Sequence, residues 1–361
     1  MNECSFIYER KGKTMNAKTK RCGRRFSVKW TARLVLLTLL ILEGAATTVS
    51  ALEIKIASVA PENSPYGTAL KQLAADWQRI SGGSVRVVIY HNGIAGDQAD
   101  IIRKMRIGQL QGGIFANTGL APLAKEAMSV TVPFLIRNDA EFDAAMELLR
   151  PILDQRLETQ GFKPIAWAAA GWLYLFTKDP VRSPEEVKSL KLAVPPDEGD
   201  LLDTFRSLGF RAVPVDIPET LTALNSGMVN AILASPLLAA PAQWFGIARN
   251  MLDLRIAPAM GCILLSDRTW QQIPPNLRER FLESARSAAT TLRTGSKALD
   301  TQAIDAMTKY GLRLIGSTPA ETAAWQQEFE RNRDSIIDSA FDPETVDLIE
   351  QKLAAVRAQS R

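Results

Sequence analysis

Apolar and polar positions alternate with a period of two over Ile54-Lys55-Ile56-Ala57-Ser58-Val59, which predicts a short half-buried strand. The period then lengthens. Leu70, Leu73, Ala74, Trp77 and Ile80 recur at helical spacing before Ser81-Gly82-Gly83 stops the helix. Val85–Tyr90 returns as a strand. A turn through Asn92-Gly93 and Ala95-Gly96-Asp97 opens a second helix carrying Ile101, Ile102 and Met105 and ending near Gly108.

The alternation continues with Gly113–Ala116 as a strand, a loop at Asn117, a helical stretch from Glu141 to Leu157, and a buried-strand candidate over Lys163–Ala170. Ile273-Pro274-Pro275 leads a helix beginning near Asn276, with Leu277, Phe281, Leu282 and Ala285 on one face. Tyr310–Ile315 reads as a strand, and Ser317-Thr318-Pro319-Ala320-Glu321 caps a helix through Trp325, Phe329 and Ile336. The charge-rich tail after Pro343 reads as one more helix. This order predicts an α/β protein with parallel-rich sheets covered by helices. Ligands of such sheets collect beyond the carboxyl ends of the strands, so the loops near Tyr66, Asn117 and Gly171 are candidate binding segments.

The first fifty residues change the meaning of the composition. A basic stretch from Arg10 to Arg33 runs into the apolar segment Leu34–Leu42, and small residues ending in Val49-Ser50-Ala51 follow. This pattern predicts a secretory signal peptide over 1–51 with cleavage before Leu52, the alternative being an uncleaved signal anchor, and initiation at Met15 would shorten the leader. The apolar segment is shorter than the ~20 residues of a membrane span. The formal net charge of +4 belongs to that leader, because 33 basic and 36 acidic residues remain after it. A basic nucleic-acid surface therefore loses its support. Cys4 and Cys22 leave with the leader and Cys262 stands alone, so no disulfide framework or cysteine metal site is expected. Cys262 sits beside Ile263-Leu264-Leu265 and reads as a buried apolar residue. His91 is the one histidine, which excludes a Ser-His-Asp triad together with any multi-histidine metal site, and it reads as a hydrogen-bonded surface residue. Neither a cofactor nor a catalytic centre is expected.

Two later segments carry a resemblance. Ser183-Pro184-Glu185-Glu186-Val187-Lys188-Ser189-Leu190-Lys191-Leu192-Ala193-Val194 and Glu219-Thr220-Leu221-Thr222-Ala223-Leu224-Asn225-Ser226-Gly227-Met228-Val229-Asn230-Ala231 resemble the strand entry and following helix of the DctP-type solute-binding proteins of tripartite ATP-independent periplasmic (TRAP) transporters. Ser64-Pro65, Ser81-Gly82-Gly83, Tyr90-His91-Asn92-Gly93, Gly96-Asp97 and Val132-Pro133-Phe134-Leu135 occur in that family's order and spacing. The resemblance implies a two-lobed periplasmic-binding-protein-like fold of class II, with hinge strands, a long lobe-spanning helix, and a ligand held between lobes. The expected division is residues 52–170 plus about 259–297 in one lobe and 171–258 plus about 298–361 in the other. It also implies a periplasmic receptor, not an enzyme, that delivers solute to the membrane permease subunits, in some members with a periplasmic helical-repeat partner.

The departures from that pattern concern the ligand. The arginine by which most members grip a carboxylate falls at Ala193, and a second frequent cation falls at Leu173. A pocket aromatic falls at Ile217, and an expected polar group falls near Ala234-Ser235. Gly171-Trp172-Leu173-Tyr174-Leu175-Phe176, Ala193-Val194 and Ile232-Leu233-Ala234 would give an apolar-walled cleft suited to a hydrophobic or amphipathic ligand, with Tyr66 and Asn117 contributed by the candidate binding loops. Trp244 and Phe245 are further candidates for stacking on it. The alternatives are a carboxylate clamp relocated to Arg182, Arg206 or Arg255, and a sensor or scaffold without a cleft ligand.

Overall fold

The periodicities of the sequence assemble into one mixed sheet whose centre is antiparallel. The computed structural model describes residues 51–196 and 199–359, and the predicted leader lies outside them. Ten strands are described: β1 (Leu52–Ser58), β2 (Val85–Tyr90), β3 (Gly112–Ala116), β4 (Phe162–Thr177), β5 (Lys191–Val194), β6 (Arg211–Pro214), β7 (Ala231–Ala234), β8 (Asn250–Asp253), β9 (Ala257–Ser266) and β10 (Arg313–Gly316). The main path runs β2-β1-β3-β9-β4-β7-β5-β6, and β8 joins β10 to β4. Pairings near the two ends are parallel (β1 with β2 and β3, β5 with β6 and β7). Those made by β9 and β4 are antiparallel.

β4 belongs to both halves of this sheet. Its first part pairs with β9, its last part pairs with β7 and β8, and the ladder to β9 shifts register twice, once between Pro164 and Ala166 and once between Ala169 and Trp172. At the second shift Ala170 and Gly171 stand where the facing strand offers only Ala259, a one-residue bulge that bends and twists the strand. Gly171 has φ +83°, a conformation that L side chains rarely adopt. The sequence reading placed one strand at Lys163–Ala170; the bulge lets a single strand of 16 residues continue to Thr177.

Helices cover the faces. In helix α1 (Pro65–Ile80) Ser64 caps the start by accepting the Gly67 N–H, and Leu70, Leu73 and Trp77 are buried. Helix α2 (Asp139–Thr159) starts with an Asn138 cap, and helix α3 runs 35 residues from Pro275 to Lys309, about 50 Å. Trp77 stacks flat on Phe281 of α3 at 4.4 Å between ring centres, and its indole N–H donates to the Phe281 carbonyl, fastening α1 to the long helix. Helices α4 (Pro319–Arg331), α5 (Arg333–Ala340) and α6 (Pro343–Gln359) end the chain, and Arg357 of α6 donates to both carboxylate oxygens of the buried Glu141 on α2.

His91 departs from the expectation of a surface residue. It is buried after β2 and its Nδ1 lacks a hydrogen-bond partner, and burial lowers its pKa despite nearby Glu62.

The bulge generates a stability prediction. A Cβ on Gly171 would lie 3.3 Å from both Asp300 Oδ1 and Ser235 Cβ in a backbone unsuited to it. Gly171→Ala should lower the unfolding free energy by about 1–2 kcal/mol in urea denaturation, whereas Gly246→Ala, with open space at its Cβ, should stay within about 0.5 kcal/mol of the parent.

Candidate functional site

A cavity of about 370 Å³ opens against the bulged strand and draws its walls from both halves of the sheet. Ile114, Ala116 and Ala168 contribute from the first half, Leu173 and Leu175 from β4, and Ala193, Ile232 and Leu238 from the second. Ala285 and Leu292 of α3, Met128, Phe134 and Trp244 close further sides. Its size falls in the range of small-molecule sites. Phe134 reaches the wall with φ +61°, and its N–H donates to the Ile256 carbonyl at 2.8 Å. A bulky residue in that region stores strain that persists only where the surroundings impose it.

Seven of the eight residues singled out from the sequence line this cavity: Tyr66, Asn117, Leu173, Ala193, Ile217, Ala234 and Ser235. Trp172 does not. Strand alternation sends it to the other side of β4, where its indole N–H donates to Asp139 at 2.8 Å and Arg255 lies over its ring at 5.2 Å. Trp244 lines the cavity, while Phe245 packs against the core beside it.

Among the described residues, Glu328 is the one charged side chain in the lining, and Lys188 and Arg331 hold its two carboxylate oxygens at 2.6 and 2.8 Å. None of the arginines considered as a relocated clamp lines it. Arg182 donates to the Gly316 carbonyl and pairs with Glu321, Arg206 donates to the Ala212 carbonyl and pairs with Asp203, and Arg255 donates to the Tyr174 hydroxyl.

The polar wall atoms are largely committed to the protein. Thr131 donates to Met128, Thr204 to Asp200, and Thr220 to Asp216. The Tyr66 hydroxyl donates to the Ala170 carbonyl at 2.8 Å, and burial raises its pKa. Cys262 is a buried wall residue whose thiol burial pushes well up, leaving it unreactive.

Sequence reasoning missed Asp300. It lies on α3 against Gly171, 7% exposed, and burial pushes its carboxyl up to about 6, with Arg255 opposing the shift and Asp139 adding to it. Its helix was legible, but the fold that turns this carboxylate inward was not.

The profile of the family described as bacterial extracellular solute-binding protein, family 7 (DctP), matches residues 56–339. The chain belongs to that family. A solute-binding protein of Verminephrobacter eiseniae is 24% identical over 278 residues, covering 75% of this chain and 81% of the relative. The sialic acid-binding periplasmic protein SiaP of Vibrio cholerae is 22% identical over 246 residues, covering 66% and 75%. In structure, the sugar acid binding protein DctPAm of Advenella mimigardefordensis, in complex with galactonate, aligns with a TM-score of 0.78 at 17% identity over 84% of this chain and 98% of its own. A TRAP periplasmic solute-binding protein of Sulfurospirillum deleyianum with bound succinate aligns at 0.77 with 18% identity, covering 83% and 99%. These likenesses establish the two-lobed solute-binding fold. Among the described residues no helix is long and apolar enough to cross a membrane.

The Tyr66 hydroxyl ties α1 to the bulge across 104 residues of sequence. Tyr66→Phe should therefore lower stability by about 1 kcal/mol in chemical denaturation, the net worth of one hydrogen bond; an unchanged midpoint would remove the bond from the account.

Proposed function

We propose that this chain is the extracytoplasmic receptor of a TRAP-type secondary transporter and that it closes around an apolar or amphipathic solute. The observation that carries the reading is a cavity wall without a lysine or arginine among the described residues, combined with membership of a solute-binding family. A carboxylate entering such a cavity forgoes charge-assisted bonds of ~1.5–3 kcal/mol each. An apolar ligand instead gains ~25 cal/mol for each Å² it buries. Tyr66, Asn117, Leu173, Ala193, Ile217, Ala234 and Ser235 are the contacts we assign to it, Ala193 and Leu173 replacing the cations a carboxylate would need.

The remaining parts of the reading follow from that role. The leader directs export to the periplasm and is removed before Leu52. The chain divides into lobes near the bulge, 52–170 with about 259–297 and 171–258 with about 298–361, and solute binding shifts the population toward the closed arrangement. The receptor then docks on the permease subunits, a helical-repeat protein being an additional partner. No catalytic step is assigned.

A second reading has one specific observation in its favour, since the solved relatives were described with galactonate and succinate. Calorimetric titration separates the two. The apolar reading predicts no measurable binding of succinate or galactonate, and a rise of roughly tenfold or more in affinity for such acids in Ala193→Arg. Micromolar binding of either acid by the parent protein would overturn it in favour of a carboxylate receptor.

A further inference from the structure

Strands β6, β5, β7, β4, β8 and β10 lie side by side in that order, and their pairing fixes which residues meet at one edge of this half of the sheet. Arg211 faces Lys191 at the start of β6 and β5. The Lys191 carbonyl accepts from the Asn230 N–H, the Asn230 carbonyl from the Lys178 N–H, and the Arg249 carbonyl from the Arg313 N–H. Asn250 closes the middle of the row, its side-chain amide donating to the Lys178 carbonyl at 2.8 Å. Five of the six strands thus bring an exposed lysine or arginine to the same edge, in a row of about 24 Å at the usual strand spacing. Lys309 ends α3 four residues before Arg313. Asp179 is the one carboxylate in the segments that form the row, 178–179, 189–191, 209–211, 227–230, 248–249 and 309–313.

These charges are not neutralised within the protein. Among the described residues, none of Lys178, Lys191, Arg211, Arg249, Lys309 and Arg313 pairs with a carboxylate. Lys191 Nζ and Arg249 Nε donate to the carbonyls of Gly227 and Gly246, which are neutral acceptors. The row is therefore a basic edge on a mature chain whose acidic residues outnumber its basic ones, 36 to 33. Apolar side chains flank it. Met228 follows the glycine that Lys191 bonds, Tyr310 follows Lys309, and Leu314 follows Arg313, with 46%, 75% and 46% of their surfaces exposed.

We propose that this edge is a docking face for the surface of an anionic phospholipid bilayer. The cations stand in a line, one to a strand, and converge on no common point, so they match a plane of many phosphates better than one bound anion. Because they hold no carboxylate partners, docking breaks no ion pair. Tyr310, Met228 and Leu314 supply the amphipathic and apolar side chains that enter a headgroup layer beside such charges. The cavity lies at the other ends of the same strands, lined there by Ala193, Pro195, Val215, Ala234, Ser235 and Ile256. A bilayer on the basic edge leaves the cavity unobstructed, and the inference stands whichever solute the cavity takes.

The test is sedimentation of the full-length mature protein with vesicles of phosphatidylcholine in which roughly a third of the lipid is phosphatidylglycerol. Binding is expected to these vesicles and not to phosphatidylcholine alone, and it should weaken steeply from about 50 to about 500 mM salt as the charges are screened. Lys191→Glu, Arg211→Glu and Arg249→Glu together should abolish it. Arg106→Glu, Arg268→Glu and Arg280→Glu together, exposed residues elsewhere with the same change of net charge, should leave it within about twofold. Each single reversal in the row should weaken binding by roughly fivefold or more, and the single variants serve if the triple one does not fold. Equal losses in the two triple variants, or equal binding to both kinds of vesicle, would overturn the docking face. Failure to bind the anionic vesicles at low salt would overturn it as well and leave the row to an acidic protein partner.

Discussion

A strand of sixteen residues cannot hold one ladder across two differently directed halves of a twisted sheet without giving up register somewhere, and β4 gives it up at Ala170 and Gly171. Nearly every feature of functional interest gathers at that point. Tyr66 bonds the Ala170 carbonyl, a Cβ on Gly171 would meet Ser235 and Asp300, and the cavity wall runs along the same strand through Ala168, Ala170, Leu173 and Leu175. The bulge also sorts the two neighbours, with Trp172 directed to Asp139 and Arg255 and Leu173 directed to the cavity. The same local kink thus makes the crossing, the wall and the setting of the buried carboxylate.

The chemistry of the cavity follows from where the cations went. Each candidate arginine already has partners elsewhere, and the glutamate at the wall is neutralised by a lysine and an arginine. Arg182 and Arg206 are about half exposed in pairs away from the cavity, and none of the three candidate arginines is among its lining residues. What remains facing inward is aliphatic and aromatic surface with a few hydroxyl and amide groups.

Much of the framework was legible in the sequence because it depends on local periodicity. The alternation at Ile54–Val59, the helical spacing from Leu70 to Ile80, and the apolar face at Leu277, Phe281 and Ala285 each require only neighbouring residues. The ordered motifs at 183–194 and 219–231 added the family, which the profile match over 56–339 establishes. The antiparallel core was less visible, since nothing in the apolar runs of β4 and β9 states which strand each will meet. His91 looked like a surface residue because its burial depends on packing contributed by distant segments. Asp300 was silent for the same reason: on a helix with many charged positions, only the tertiary approach of Gly171 and Ser235 singles it out. The positive φ of Phe134 likewise has no local signal, as phenylalanine does not favour that conformation.

The charge-poor lining of the cavity, in a solute-binding fold, underlies the proposal of an apolar or amphipathic solute. Mass spectrometry of the small molecules released by denaturing the mature protein, purified without added solute from the cells that make it, tests this most directly when paired with native mass spectrometry for stoichiometry. One species in a one-to-one ratio, lipid-like or otherwise apolar, is the expected result. A dicarboxylate or sugar acid in that ratio would contradict it.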